Sequence, residues 1–549
     1  MYGRRRPWKA PGIRERAPRN PPAYWAWNGR MVVLGTGESL LGPVAVGGGK
    51  RCSPITGDPG KWRAVERQSE RAVVVPDRRD NTTRRERRAR ASSMHGKDEG
   101  DSVSADLKAR SVSRATGVDR VRALQRVLYR CAKQDRDRRF HALFDKVARS
   151  DVMRRAWGEV RANRGAAGVD GVTVDQIESS GVGDFPDGLA AQLRAGTYRP
   201  RPLRRVHIPK PGRPGQSRPL GIPTVADRVV MAATRIVLEP IFEADFLPVS
   251  YGFRPRLSAH HALETVRTTV NRGRAWALDA DIQSCFDEIS HDALVAQLER
   301  RVSDRRILKL LRGWLRAGVF EGGIVSAIEA GTPQGSPLSP LLANVALHVL
   351  DEAWATEGRR LGVLARYADD LVVLCATREQ AVKARELAAA TLATLGLRLH
   401  PEKTRIAHLA RGAEGFDFLG FHHRMRESWK RRGRWYLQKW PSPRAMASIR
   451  GKIRERTDRR LARLPLEKVV ENLNPVLRGW GAYFRYGNSA GKFDAIDTYV
   501  NQRLAILAST KHGLRGWNWT TRFDHGWITG LGVYRLSGTV RPTTAYARR

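Results

Sequence analysis

Two adjacent carboxylates stand between two apolar runs. Leu361–Ala365 precedes Tyr367-Ala368-Asp369-Asp370, and Leu371–Leu374 follows it. Each run reads as a short buried strand, so the four residues fall at a tight hairpin bend. Like charges at a rigid turn repel one another; they become useful when divalent cations lie between them. A second cluster lies earlier in the chain, at Asp279-Ala280-Asp281-Ile282, with Phe286-Asp287 just beyond. If two distant strand ends meet, their carboxylates can share a metal pair, and that chemistry suits nucleotidyl transfer. One metal lowers the pKa of an attacking hydroxyl and the other steadies the leaving pyrophosphate. Asp281 and Asp369 are the first choices as shared ligands. The carbonyl of Ile282 is a further candidate, and Asp370 completes the set. Asp279 shares a strand face with Asp281 by alternation but sits further from the strand end. Asp287 reads as a structural cap. An isolated Asp-Asp pair is more often a solvated turn, so its surroundings decide.

Between the two clusters runs Gly331-Thr-Pro-Gln-Gly-Ser-Pro-Leu-Ser-Pro340. Gln334 and the glycines, Gly335 among them, let backbone approach a flat base or a phosphate closely. The prolines fix the dihedrals of the loop. Taken alone the decapeptide could be a loop that caps a helix, with Ser339 near the start, but so unusual a run is hard to explain as filler.

The elements that must position these residues follow from periodicity. A helical pattern runs from Arg120 to Val147, and Asn163–Thr173 is a glycine-rich loop. Residues 203–224 read as two strands around a basic turn, followed by a helix over Val225–Leu238. The stretch 275–282 is a strand ending in the first acidic cluster. Helices are expected over 291–317, 338–357 and 378–395, with the hairpin between the last two. Strands with intervening helices make this block α/β or α+β. After Arg424 the composition turns basic, with 15 Lys+Arg and three acids between Arg424 and Arg463. Amphipathic helices are expected over 466–486 and 493–507, so the C-terminal block reads as mainly helical.

Composition sets the partner class. The 549 residues carry 98 Lys+Arg against 55 Asp+Glu, a formal net charge of +43. Such an excess predicts salt-dependent binding to nucleic acid. A hydrophobic fraction of 41% and 15 Trp argue for real cores rather than a basic structural protein. Cys52, Cys131, Cys285 and Cys375 are far apart, which suggests neither a zinc ribbon nor a disulfide framework and fits a reducing, intracellular setting. No run is long and apolar enough for a transmembrane helix. Residues 1–93 are rich in Arg, Pro and Gly and read either as a disordered extension or as non-native sequence ahead of a start at Met94.

Eight segments in order resemble the reverse transcriptases encoded by bacterial group II introns, which also act as maturases. They are Arg164–Gly171, Ile208-Pro-Lys210 with Arg218–Pro223, Ser250–Pro255, Asp281–Asp287, Gly331–Pro340, Tyr367–Asp370, Leu399–Thr404 and Phe418–Phe421. The resemblance covers roughly residues 120–515 and implies an α+β right-hand polymerase. Fingers and a palm with an antiparallel sheet would precede an α-helical thumb. The expected divisions are an extension (1–93), an N-terminal helical extension (94–163), fingers and palm (164–423), thumb and maturase (424–515) and a short tail (516–549).

The resemblance also implies roles. Asp281, Asp369 and Asp370 would be catalytic carboxylates around two Mg²⁺ ions. Lys210 and Arg218 would grip the incoming triphosphate. Phe286 would be a steric gate beneath the sugar that selects deoxynucleotides. Gln334 and Gly335 would shape the nucleotide pocket, and Lys403 would donate a proton to pyrophosphate or be a plain surface lysine. Asn474–Tyr486 resembles the maturase segment: Trp480 and Phe484 read as helix packing, with RNA contact from the flanking arginines. The partners implied are intron RNA, target DNA and dNTPs, with no membrane and a nucleoid-associated, cytoplasmic location. The oligomeric state stays open, a dimer included. Many relatives carry a cysteine-paired nuclease domain at the C-terminus; the tail here has no Cys, so none is expected. The leading reading is an RNA-directed DNA polymerase that binds its intron, helps it splice and copies it during retrohoming. Two alternatives stand beside it: a maturase with an idle polymerase site, and a related reverse transcriptase used in defence or linked to CRISPR.

Overall fold

The computed structural model describes residues 24–27, 30–33, 119–181, 184–209, 215, 217–327, 330–332, 335–428, 431–513 and 522–542. Most of the N-terminal extension lies outside the described residues. Within it, β1 (Tyr24–Trp27) pairs antiparallel with β2 (Arg30–Val33). Asn28-Gly29 separates them in the sequence, a dipeptide that favours two-residue hairpins; the composition-based reading had missed this pair.

Among the described residues, five helices come next: α1 (Arg120–Gln134), α2 (Phe144–Val147), α3 (Ser150–Asn163), α4 (Val174–Ser179) and α5 (Phe185–Ala195). The helical pattern expected through Val147 breaks at Asp135. Its carboxylate accepts from the backbone N–H groups of Asp137 and Arg138, which competes with helix continuation. Arg301 caps the freed carbonyls of Ala132 and Asp135.

The fingers sheet has the order β4-β3-β6-β7, built from β3 (Leu203–Pro209), β4 (Ser217–Ile222), β6 (Val319–Glu321) and β7 (Ile324–Ser326). The palm sheet has the order β10-β5-β9-β8 and is antiparallel throughout. Its strands are β5 (Trp276–Asp281), β8 (Val363–Tyr367), β9 (Asp370–Cys375) and β10 (Arg405–His408). The helices of this region are α6 (Val225–Glu243), α7 (Ala259–Asn271), α8 (Cys285–Glu288), α9 (His291–Glu299), α10 (Arg305–Leu315), α11 (Ser339–Thr356) and α12 (Arg378–Ala393). The single helix expected over 291–317 is two, because Asp304 caps α10 and also accepts from Leu143 and Phe144 N–H.

The palm sheet is buried on both faces, which explains the unbroken apolar run of β9. Leu371, Val373 and Cys375 face one core, shared with α6, α9 and α11. Val372 and Leu374 face a second core, shared with α7 and the thumb. That second core continues through β11 (Phe416–Phe418), β12 (Phe421–Ser428) and β13 (Arg431–Pro441), a three-stranded antiparallel sheet. The thumb helices are α13 (Pro443–Arg456), α14 (Leu466–Phe484) and α15 (Ala490–Lys511), with α16 (His525–Gly530) beyond them. The C-terminal block is therefore not helical from its start, since the strands β12 and β13 run on to Pro441. Residues 532–541 also pack back onto the thumb. Leu536 is fully buried, its N–H donates to Asp497, and Tyr534 N–H donates to Asn474. Among the described residues no helix is long and apolar enough to cross a membrane.

Candidate active site

β8 and β9 are joined by a two-residue turn, since Tyr367 pairs with Asp370 and only Ala368 and Asp369 lie between. Ala368 has φ 58°, the positive value that a tight hairpin of this length needs at its first loop position. Asp281 is the direct cross-strand partner of Asp370. Asp369 accepts Ile282 N–H at its own carbonyl (3.3 Å), which ties the hairpin to the end of β5. The three carboxylates separated by 88 residues of sequence thus meet at one edge of the palm. By strand alternation Asp279, Asp281 and Asp370 share the face that carries Ala277 and Val372, the face toward the thumb.

The electrostatics reflect this crowding. Burial pushes the Asp370 carboxyl up to about 7, and the neighbouring charges of Asp369, Asp281 and Asp279 add to it. Asp370 keeps exposed surface, so water moderates that repulsion. Asp369 is also raised, by burial first and then by Asp281, with Arg218 and Lys403 opposing. Asp279 is lifted to about 6 by burial, despite the Arg405 guanidinium 3.1 Å from its carboxylate. Carboxylates held this close without protons are a donor set suited to a hard divalent cation. Among the described residues no group of three or more such side chains forms a ready-made metal cage. Instead Lys403 forms an ion pair with Asp281 and supplies the positive charge. His400 N–H donates to the Asp281 carbonyl (2.8 Å), so the segment carrying Lys403 is anchored on the same strand end.

Other expected residues gather around this edge. Phe286 sits in α8, half-buried against the first core, and meets Phe253 edge-to-face with centroids 6.2 Å apart. The loop expected near it packs there: Thr332 N–H donates to the Phe286 carbonyl (2.6 Å) and Gly331 N–H to Ile289 (2.8 Å). A Cβ on Gly331 would lie 2.6 Å from the Asp287 carbonyl oxygen, so only glycine fits. Gly335 approaches β4 in the same way, where a Cβ would lie 2.6 Å from the carbonyl of Gly221. Arg218 lies exposed on β4, paired with Ile208. Lys210 and Gln334 lie outside the described residues. Asp287 is inside α8 rather than at its cap, which Ser284 occupies.

Sequence reasoning missed what holds the hairpin. Arg366, one residue before Tyr367, is fully buried. Its guanidinium donates to both oxygens of the buried Asp351 (2.8 and 2.5 Å), to Ser250 Oγ (2.8 Å), to Asn344 Oδ1 (3.1 Å) and to the Ala368 carbonyl (3.1 Å). Burial alone would raise Asp351, and Arg366 outweighs it to hold that carboxyl below its ordinary range. Asn344 also donates to the Gly252 carbonyl (2.8 Å). A Cβ on Gly252 would collide with the backbone nitrogen of Ala368. One buried network therefore joins Ser250–Pro255, α11 and the acidic hairpin. A fully apolar flank interrupted by one arginine was the only signal for it.

The chain is similar to several known proteins. Residues 208–423 match the family model for reverse transcriptase (RNA-dependent DNA polymerase), and residues 446–523 match the group II intron maturase-specific domain. Protein YkfC of Escherichia coli is 35% identical over 341 residues, which span 55% of this chain and 87% of YkfC. The group II intron-encoded protein LtrA of Lactococcus lactis is 36% identical over 223 residues, 40% of this chain and 36% of LtrA. A solved partial Cas6-RT-Cas1–Cas2 complex aligns at 25% identity over 45% of this chain and 41% of its own, with a TM-score of 0.30. The reverse-transcriptase match encloses both acidic clusters and the loop between them, and the maturase match begins within α13. The chain belongs to the family of group II intron-encoded reverse transcriptases and maturases.

Proposed function

We propose that this protein is an RNA-directed DNA polymerase that also binds its own intron RNA, assists its splicing and copies it into DNA at a target site. The observation that carries the reading is the cross-strand pairing of Asp281 with Asp370, beside Asp369 at the adjacent turn. The carboxylates of Asp281, Asp369 and Asp370, with the Ile282 carbonyl, would hold Mg²⁺, for which oxygen donors are suited. Bound there, the metal pair supplies activation of the primer 3′-hydroxyl and stabilisation of the leaving pyrophosphate. The chain's own groups do the rest. Arg218 and Lys210 neutralise triphosphate oxygens from the fingers side. Phe286 closes the space beneath the sugar. Lys403 leaves Asp281 and stands ready to protonate the pyrophosphate. The basic face of the thumb takes the duplex and the intron RNA through their phosphates.

Primer extension on poly(rA)/oligo(dT), comparing wild type with Asp369→Ala, tests the reading. The variant is expected to lose at least about a hundredfold in rate, the scale of removing one preorganised charge-stabilising group. Extension that survives the substitution would overturn the site. An inactive wild type that still binds intron RNA would favour a maturase with an idle polymerase site.

A further inference from the structure

Phe253 has a backbone φ of 57°, in the left-handed region. For a bulky aromatic residue that is an outlier that the surrounding structure must enforce. Both neighbours enforce it. The Gly252 carbonyl is caught by Asn344, and Gly252 itself is wedged against the Ala368 nitrogen. Arg254 donates to Glu243, and to the carbonyls of Leu247 (2.7 Å) and Ser250 (2.8 Å). The strained side chain is in neither apolar core, so core packing does not account for it. What its ring meets is Phe286, edge-to-face at an interplanar angle of 77°. Phe286 in turn is fixed through its backbone by Thr332. The ring of Phe286 is thus met by Phe253, and its main chain is held by Thr332.

We infer that Phe253 is a positioning residue for sugar selection: it buttresses the Phe286 ring so that the ring cannot yield to a 2′-hydroxyl. This rests on the reading of Phe286 as the gate. It gives a reason for backbone strain beside the carboxylates, since a gate that tilts away excludes nothing. The same strained turn carries Gly252 on the catalytic hairpin, so the gate and the metal-binding carboxylates are set by one segment.

The test is the ratio of dTTP to UTP incorporation, as kcat/KM, on poly(rA)/oligo(dT). The full-length variants needed are Phe286→Ala, Phe253→Asn, Phe253→Tyr and the double variant Phe253→Asn with Phe286→Ala. Asparagine accepts a positive φ and removes the ring, so the thermal midpoint of Phe253→Asn should not fall while its discrimination drops about threefold to tenfold, the reach of one aromatic pair. Phe253→Tyr keeps the ring edge and should retain the wild-type ratio. The double variant should match Phe286→Ala alone, because Phe253 acts through that ring. A wild-type ratio in Phe253→Asn, or additive losses in the double variant, would overturn the role of Phe253 while leaving the gate intact. An unchanged ratio in Phe286→Ala would instead overturn the gate itself.

Discussion

The charge on Asp370 is a liability that a bound cation removes. Its folded pKa of about 7 lies above the ordinary carboxylate value, so between about pH 4 and 7 the native chain keeps a proton that the unfolded chain has lost. Stability without divalent ions must therefore fall as pH rises through that window, and the full penalty stands above it. Asp370→Asn should melt higher than wild type at pH 8 in EDTA, with the gap closing toward pH 4 and narrowing when Mg²⁺ is added. Thermal unfolding under the three conditions checks this; a gap that is independent of pH would remove the electrostatic explanation. Arg366 makes a different prediction. Arg366→Met strands the buried Asp351 charge and should cost about 3–5 kcal/mol of stability. Adding Asp351→Leu should restore much of the melting temperature but not primer extension, because the Ala368 carbonyl and Ser250 still lack their donor. The acidic residues were legible because four consecutive residues between apolar runs carry their own context. The Arg366 network was not, because it joins Arg366 to positions 15, 22 and 116 residues away.

Among the elements, the β12–β13 hairpin shows where periodicity is weak. Phe421, His423 and Met425 point inward and His422, Arg424 and Arg426 outward, a period of two. Aliphatic side chains are scarce on its inner row, where His423 faces its cross-strand partner Lys439, so the alternation does not register as hydrophobic. Density of Arg and Lys suggested a basic, mainly helical block after Arg424, and the strands that open it pack against α7. The palm strands β5, β8 and β9 were legible because their apolar runs flank the acidic clusters, whereas the short, polar β10 gave no such signal. The inner row is also where the element is least settled. Lys439 is 2% exposed and its ammonium has no hydrogen-bond partner among the described residues. Burial lowers it to about 8, with Glu264 opposing and Arg267 adding. Its folded pKa lies below the unfolded value, so the unfolded chain holds the extra proton between about pH 8 and 10, and stability rises with pH there. Below pH 8 the penalty is complete. Lys439→Met keeps the volume and removes the charge, and it should stabilise the chain by up to about 3 kcal/mol at pH 7, the worth of a shift this size. The gain should vanish by pH 10 to 11. Chemical denaturation at the two pH values decides, and a destabilised variant at pH 7 would mean that the ammonium has a partner worth more than its burial.

At the scale of the whole molecule, the palm sheet is the wall between two cores, and the second core runs without a break into the thumb. That continuity fixes the basic thumb relative to the carboxylates. Tyr483 of α14 lies close enough that burial, then the charges of Tyr367 and Asp370, push its phenol up. On the proposed function, a thumb so placed would receive the duplex as it leaves the site, and the basic excess of the chain would favour its phosphates. α13 turns Met446, Ile449 and Ile453 inward and leaves Arg444 and Arg454 exposed. If these two arginines neutralise phosphates, each releases about one counterion on binding. Replacing both with Gln should make the slope of log affinity against log salt shallower by about 2 for an RNA–DNA hybrid, with equal weakening across sequences. Asp369→Ala should leave the slope unchanged, because it removes no cation from the grip. Fluorescence anisotropy over a salt series measures both. An unaltered slope in the arginine variant would move the duplex off α13 and require another face of the molecule to carry it.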